Sequence, residues 1–294
     1  INYDEIKKNL YEVKPRMLIM GYSAYSKKID FEKVRQIVDE YNSNLEIESI
    51  FPEDVTMSEE EIQKAYEAKK CILWTDMAHF SGFIAAHVWE DKYDPTIWSD
   101  VVTTTTHKTL RGPRGAIILW NNEEYCKKIN QAVFPGNAAN QALTAAKAQA
   151  FIEAQKSEFK EYIDQVHVNM QALIDGIKSI DMESKLRFVS GDKTENHMIL
   201  IDVKGAGLTG KEAEDLLSAH HIICNKNMIT GDIKPSDCTG IRLGTPAVTT
   251  RGFNTEMSYQ LGQIVAKVLL KTDDFEDIAF EIQQFLDIIG PFYK

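Results

Sequence analysis

The sequence predicts an α/β fold, with a large domain built on a mostly parallel sheet and a smaller α+β domain after it. Over the first half of the chain, short apolar runs alternate with amphipathic segments at helical spacing, as in strand–helix–strand units. A long helical stretch separates this half from a second set of short strands and helices. We therefore expect a large domain over residues 1–150, a connecting helix over 151–180 and a small domain over 181–294.

The composition predicts a globular chain with a substantial core, because 44% of its 294 residues are hydrophobic and 26% are charged. The net charge of -11 argues against nucleic acid or an anionic membrane surface as the main partner. No apolar run approaches the roughly 20 residues of a membrane-spanning helix, and the first residues resemble neither a signal nor a transit peptide. The 4 cysteines lack metal-binding spacing, which favours a reducing compartment and no metal site.

The first elements predict a helix, a strand and a second helix. Residues 2–15 are helical in pattern, and Arg16–Met20 is expected to be a short buried strand that ends at Gly21. The second helix is expected over Ile29–Tyr41, with Asp30 as its N-cap. Ser23 lies in the loop between strand and helix, where the residues alone predict an ordinary turn serine.

Residues 42–70 have the pattern of an ordered segment between the second helix and the next buried strand. Ser58 and Glu61 form a capping box that opens a helix over Glu59–Lys69. Before it, Leu45–Phe51 alternates apolar and polar residues as an edge strand does. Either this segment packs on its own subunit or on a partner, or it is a plain surface excursion.

Cys71–His79 is predicted to be a buried strand that ends in Asp76 and His79. Functional groups of open α/β sheets collect at the carboxyl ends of strands. An aspartate in this place can pair with the protonated ring nitrogen of a bound ligand and stabilise its positive charge. His79 can reach the same ligand ring. A capped helix start explains the two residues equally well.

The next strand carries four consecutive threonines into His107 and Lys108, and the turn 111–115 follows. Ala116–Trp120, after the turn, is an apolar run typical of a buried strand. A lysine fixed at a strand exit can present a desolvated amine for Schiff-base chemistry. Taken alone, such a lysine is more often a solvated turn residue.

The remaining elements are mostly helical. A short helix is expected over Asn121–Lys128 and one long helical stretch from Leu143 to about Ile180. The small domain is expected to contain two strand regions and three helices, at Met198–Val203, Ile222–Asn227, Lys211–His220, Asn254–Lys271 and Phe275–Ile289.

Arg242 lies in an otherwise apolar run between glycines, where an unpaired guanidinium is costly. It must therefore meet an anion, which is either a ligand carboxylate held bidentately or a carboxylate of the protein itself.

Two segments, Val101–Gly115 and Gly240–Gly252, closely resemble those of serine hydroxymethyltransferases, and the resemblance extends over nearly the whole chain. It implies a fold-type I transferase that uses pyridoxal 5'-phosphate to interconvert serine and glycine, with one-carbon transfer to tetrahydrofolate. It also implies cytosol or mitochondrial matrix, a dimer or larger oligomer, Lys108 as the lysine that carries the cofactor, and Arg242 as the residue that grips the substrate carboxylate. The other cofactor-binding residues that it implies are Ser23, Asp76, His79, Thr105, His107 and Arg114, with a supporting role for Arg251. Lys108, Asp76 and His79 are also expected to be catalytic.

The chain also departs from the family pattern. In the family the next strand follows the second helix almost at once, so the resemblance implies that residues 42–70 are an insertion. Asn137–Asn140 stands where the family has a glycine pair whose amides reach the cofactor phosphate, so this contact is expected to be weakened or lost. The family's N-terminal segment, with its proton-transferring glutamate, has no counterpart in these residues. Two hypotheses follow. Either this chain works with a piece supplied elsewhere, or it is a degenerate, non-catalytic homologue that serves as an interaction subunit through residues 42–70.

Overall fold

A computed structural model describes residues 1–45, 58–134 and 140–289 of the protein. Contacts between Cα atoms divide the chain into two compact units. Unit 1 contains Ile1–Tyr22 and Ile29–Glu153, and unit 2 contains Ser23–Lys28 and Ala154–Lys294.

Unit 1 holds the first helices and strands. The described helices are α1 (Tyr3–Val13), α2 (Phe31–Ser43), α3 (Glu59–Lys69), α4 (Ser81–Ala85), α5 (Pro95–Trp98), α6 (Glu123–Val133) and α7 (Gln141–Ala154). The described strands are β1 (Met17–Gly21), β2 (Ile72–Asp76), β3 (Val101–Thr105) and β4 (Ala116–Trp120).

The described strands of unit 1 form one sheet in the order β1–β2–β3–β4. β1, β2 and β3 run parallel, and β4 pairs antiparallel with β3. The predicted mostly parallel α/β sheet is therefore confirmed. Since the three parallel strands end at the same edge, the residues at their carboxyl ends are neighbours, with Gly21 opposite Asp76 and Asp76 opposite Thr103.

One face of this sheet is covered, and the other is only partly so. On the covered side, Val38 of α2 is fully buried and belongs to the same core cluster as Cys71. On the other side, Ile19 of β1 is 67% exposed and Trp74 of β2 is half-buried. The prediction that β1 is a buried strand was therefore only partly correct.

The prediction that Ala116–Trp120 is a buried strand was wrong. β4 is the last strand at one edge of the described sheet, and Leu119 is 38% exposed. An apolar run records only the side chains of one strand, whereas burial depends on the layers that neighbouring elements place above and below it.

The helix starts that were predicted from caps are confirmed. The Asp30 carboxylate accepts the Lys33 backbone N–H at 2.9 Å and opens α2. Ser58 and Glu61 form both hydrogen bonds of a capping box at the start of α3. The predicted edge strand Leu45–Phe51 lies outside the described residues, apart from Leu45.

Unit 2 begins its main part with a long helix. Its described helices are α8 (Ser157–Ile180), α9 (Gly210–Ala219), α10 (Pro246–Thr250), α11 (Thr255–Leu270) and α12 (Phe275–Ile289). Its described strands are β5 (Arg187–Phe188), β6 (Met198–Asp202), β7 (Asn225–Asn227) and β8 (Gly240–Gly244). They form an antiparallel sheet in the order β5–β6–β8–β7.

The single helical stretch predicted from Leu143 to about Ile180 is two helices, α7 and α8. Lys156 lies between them with extended backbone, at φ -82° and ψ 154°. The predicted strand region Ile222–Asn227 is likewise shorter, because β7 covers only its last three residues.

The core of unit 2 lies between its sheet and the helices α8, α9, α11 and α12. Ile174 and Ile177 of α8 and Ile199 and Ile241 of the central strands are all fully buried in it. Such a core fixes β8, the strand that carries Arg242. Within the described residues, no helix is long and apolar enough to cross a membrane.

Candidate functional site

Lys108 lies in a loop that is closed by hydrogen bonds of its own backbone. The Thr106 N–H donates to the Gly115 carbonyl at 2.9 Å, and the Gly112 N–H donates back to the Thr106 carbonyl at 2.7 Å. Inside this closure, the Arg111 N–H donates to the Lys108 carbonyl at 2.9 Å. The half-buried Lys108 therefore leaves the end of β3 from a fixed backbone rather than from a free turn.

Gly112 permits this closure. A Cβ atom at Gly112 would lie 2.7 Å from the Thr106 carbonyl oxygen, which is too close for any other residue. Arg111, just before it, is held at φ +57°, and the Thr106 hydroxyl donates to the Pro113 carbonyl at 2.6 Å. The glycine-framed turn read from the sequence thus serves to fix the lysine loop.

Thr109 ties the lysine loop to the segment that follows β2. Its hydroxyl donates to the His79 carbonyl at 3.2 Å and accepts the Gly82 N–H at 2.9 Å. Sequence reasoning missed Thr109. Only its place directly after Lys108 hinted at a role, because its partners lie 30 and 27 positions away.

Asp76 ends β2 at the edge where the three parallel strands terminate, and it is exposed there. One of its carboxylate oxygens, Oδ1, accepts the Ala78 N–H at 2.9 Å. The neighbouring strand allows close approach at this point, since a Cβ on Gly21 would lie 2.4 Å from the Asp76 carbonyl oxygen. The half-buried His79 follows three residues later. This edge therefore presents a carboxylate and an imidazole beside the lysine loop.

Thr105 and His107 flank the lysine, and they fit a bound oxygen-rich ligand. The Thr105 hydroxyl is buried and has no hydrogen-bond partner among the described residues. A buried hydroxyl left unsatisfied costs about 1–3 kcal/mol, so a ligand oxygen would remove a real penalty here. His107 Nδ1 accepts the Gly115 N–H at 3.4 Å, which places the imidazole proton of the neutral ring on Nε2.

Arg114 is exposed and lines an open groove of about 630 Å³ in unit 1. Lys147 lines the same groove and donates to the Ala116 carbonyl at 3.1 Å. Asn140 also lines it, and its side chain accepts the Leu143 N–H at the start of α7. Two cations and a helix start suit an anionic group. The rest of the predicted phosphate segment, residues 137–139, lies outside the described residues.

Arg242 lies on β8 in unit 2, and its partners are neutral. Nη1 donates to the Ser23 carbonyl at 2.6 Å, and Nη2 donates to Asn225 Oδ1 at 3.1 Å. Burial lowers the pKa of the Arg242 guanidinium below its ordinary value, yet an arginine with such a high ordinary pKa stays charged. None of the described residues places a carboxylate in contact with it, so its charge is not neutralised from within.

Ser23 also belongs to unit 2, because the segment Ser23–Lys28 is bound there. Asn196 Nδ2 donates to the Tyr25 carbonyl at 2.8 Å, and the Glu195 N–H donates to the Ser26 carbonyl at 2.8 Å. The exposed Ser23 uses its backbone carbonyl to position Arg242. This contact differs from the cofactor contact that the resemblance implies for its hydroxyl.

The predicted residues therefore fall into two groups. Unit 1 brings together Lys108 with Asp76, His79, Thr105, His107 and Arg114, and unit 2 brings together Arg242 and Ser23. Arg251, given only a supporting role from the sequence, also lies in unit 2. No cluster of three or more potential metal ligands occurs among the described residues.

Comparison with known protein families identifies the same family that the sequence resembles. The sequence model of the serine hydroxymethyltransferase family matches residues 1–50 and 55–265. Of the segment 42–70 that was predicted to be an insertion, the matched blocks leave out only residues 51–54, so the family model covers most of it. The matched blocks include every predicted site residue in both units. The chain belongs to the serine hydroxymethyltransferase family.

Proposed function

We propose that this chain carries the cofactor lysine and the substrate-carboxylate arginine of a serine hydroxymethyltransferase reaction. In that reaction serine and glycine are interconverted, and the one-carbon unit passes to tetrahydrofolate. The family is pyridoxal phosphate-dependent, which supports the cofactor assignment. The proton-transferring carboxylate and the remaining phosphate contacts would come from residues other than those in the two groups described above, either of a longer chain or of a second subunit.

The lysine loop is the observation that carries this proposal. It fixes Lys108 at the end of β3, beside a buried Thr105 hydroxyl without a partner. A solvated turn lysine requires neither a glycine at position 112, where any side chain would clash, nor the hydrogen bond from Thr109 to His79. A rigid loop of this kind is expected where the lysine has to contact a ligand in one fixed orientation.

The other residues have roles that follow from their chemistry. Pyridoxal phosphate, when bound, supplies an electron sink for the bond that breaks at the α-carbon of serine. The exposed Asp76 carboxylate can accept an N–H from a protonated ring nitrogen and keep it protonated. The Arg242 guanidinium has only neutral partners among the described residues, so it can bind the substrate carboxylate and fix the orientation of the α-carbon.

Covalent labelling tests the assignment of the lysine. The protein is incubated with pyridoxal phosphate, reduced with borohydride, digested and analysed by mass spectrometry. We expect the reduced cofactor on Lys108, together with a visible absorbance band before reduction, and neither in a Lys108→Arg variant. Arg keeps the positive charge but forms no such bond, so it is a matched control. Labelling spread over several lysines, or none at saturating cofactor, contradicts the proposal.

A titration with substrate tests the assignment of Arg242 separately. Addition of serine or glycine should change the absorbance band in the unmodified protein. An Arg242→Met variant should keep the band but require at least ten-fold more serine to change it. If both proteins respond to serine alike, Arg242 does not hold the carboxylate.

A non-catalytic interaction subunit is the second candidate, and one observation favours it. The outer face of the unit 1 sheet carries Ile19, Ile72 and Trp74 in exposed or half-buried positions, although apolar sheet faces are usually covered. Failure of the labelling experiment, combined with a stable oligomer or complex in light scattering, would favour this candidate over the catalytic one.

A further inference from the structure

The second unit contains a pocket that the proposed reaction does not use. It lies among α8, β8, α10, α11 and α12, and its volume is about 150 Å³. Its lining is mostly apolar and includes Leu243, Val248, Phe253, Val265, Ile282 and Phe285. All of them belong to unit 2.

Arg251 is the notable exception in this apolar lining. Its Nε atom is buried and has no hydrogen-bond partner among the described residues. The other ionisable residue in the lining is His221, and none of the described residues that line the pocket is an aspartate or glutamate. An unpaired guanidinium N–H in an apolar pocket is a standing energetic cost, and an anionic ligand would remove it.

The position of Arg251 is set by its backbone. Its N–H donates to the Ala247 carbonyl at 3.2 Å and to the Val248 carbonyl at 3.0 Å, at the end of α10. Two positions later, the Phe253 carbonyl accepts Asn169 Nδ2 at 2.8 Å. The cation is therefore placed in the pocket by a short helix and an anchored turn rather than by a mobile loop.

The opposite wall comes from α12, which follows the part of the chain matched by the family. Phe285 of α12 stacks on Phe253 with ring centroids 5.9 Å apart and an interplanar angle of 10°. Ile282, Leu286 and Ile289 complete this wall. The pocket is thus formed by the Arg251 segment on one side and by this last described helix on the other.

We infer that this pocket binds a small carboxylic acid with an apolar body, the carboxylate on Arg251 and the apolar part against α12. An engineered cavity of roughly this size, about 150 Å³, holds a benzene-sized molecule. A carboxylate suits the pocket because a planar guanidinium binds it in parallel hydrogen bonds. Leu243 and Gly244 of the lining directly follow Arg242 on β8, so the ligand would lie near the strand of the proposed substrate arginine.

Phenylacetate is the test probe, and phenylacetamide is its neutral isostere. Each is titrated into the full chain without pyridoxal phosphate or serine, and binding is followed by methyl NMR of Val265 and Ile282. We expect saturable shifts of both methyl signals with phenylacetate, and at least ten-fold weaker binding of phenylacetamide. This comparison needs no substitution, and it is independent of whether Lys108 binds the cofactor.

Two variants then assign the charge. Arg251→Met should weaken phenylacetate binding at least ten-fold and leave phenylacetamide binding unchanged. Lys234→Met removes a positive charge from an exposed position outside the pocket, so it should leave both unchanged. Equal binding of the acid and the amide, no shift in the millimolar range, or unchanged acid binding in Arg251→Met each overturns the inference.

Discussion

A close approach of two helices in unit 2 leads to a prediction about stability. α8 and α11 cross at Gly176 and Gly262, one glycine on each helix. A Cβ atom on Gly176 would lie 1.9 Å from the Tyr259 carbonyl oxygen, and one on Gly262 would lie 2.1 Å from the Leu173 carbonyl oxygen. Real Cβ atoms essentially never come within 3.0 Å of such an atom. Alanine at either position therefore requires the two backbones to move apart by roughly 1 Å.

The magnitude follows from two costs and one gain. Overpacking a tight core costs about 1–3 kcal/mol, and the upper end applies because the clash is with backbone that no rotamer change can move aside. A gap of about 1 Å between the helices also removes up to half of the dispersion energy of the facing contacts. Alanine in place of glycine gains about 1 kcal/mol of helix propensity. We therefore expect Gly176→Ala to destabilise unit 2 by about 2 kcal/mol, on the balance of these effects.

The assay has to report on unit 2. The 4 tryptophans of the chain all lie at or before Trp120 and hence in unit 1, so tryptophan fluorescence is not suitable. Urea unfolding should be followed by hydrogen exchange of peptides from α8 and α11, together with helical circular dichroism. Val168→Ala is the control, because this α8 side chain is 46% exposed. Gly176→Ala as stable as the control would refute the reasoning.

Two further predictions concern the lysine loop and a buried thiol. Gly112→Ala forces a Cβ against the Thr106 carbonyl, so it should reduce pyridoxal phosphate labelling of Lys108 several-fold while circular dichroism stays unchanged; full labelling would contradict the loop's role. Burial raises the pKa of the Cys224 thiol from 9.0 to about 12. The stability that the protonated, buried thiol contributes is therefore complete below pH 9.0 and is lost as the pH rises from 9.0 to about 12. Urea unfolding at a series of alkaline pH values should show a decline of up to about 1.4 kcal/mol per pH unit that Cys224→Ala lacks; equal slopes would refute it.

Local signals predicted the elements that depend on local interactions. Asp30 and the pair Ser58 and Glu61 mark the true starts of α2 and α3, because an N-cap acts within one turn of its own chain. The lysine segment and Arg242 were singled out for a different reason. Each lies in a continuous run of residues that resembles a known family, whereas the residue types alone left a solvated turn lysine and an internal ion pair open.

Properties that depend on distant partners could not be predicted in this way. The burial of Ala116–Trp120 was predicted wrongly, because an apolar run does not show whether another layer covers it. Gly176 and Gly262 gave no signal, since each looks like an unfavourable residue in a helix until the opposing backbone is known. The Arg251 pocket was missed for the same reason, because its two walls are brought together only by the fold.

The neutral hydrogen-bond partners of Arg242 leave its positive charge available for a ligand, and this role can be tested by changing a partner instead of the arginine. Its guanidinium is held by a backbone carbonyl and by the Asn225 side-chain amide, so it is oriented while its charge remains available. An aspartate at position 225 has nearly the same shape and would place a carboxylate against Nη2. The internal ion pair would then compete with the substrate carboxylate.

Asn225→Asp should therefore raise the serine concentration needed to change the pyridoxal phosphate absorbance band by at least ten-fold, while leaving the band itself and the stability of the protein intact. The control is Asn227→Asp, which adds the same charge to the same strand at a residue with no hydrogen bond to Arg242. An equal loss in the two variants would mean that the added charge acts without the contact to Arg242. No loss in either variant would mean that the neutral partner is not needed for serine binding. A loss confined to Asn225→Asp would show that β8 and its neutral neighbours keep this guanidinium free for a ligand.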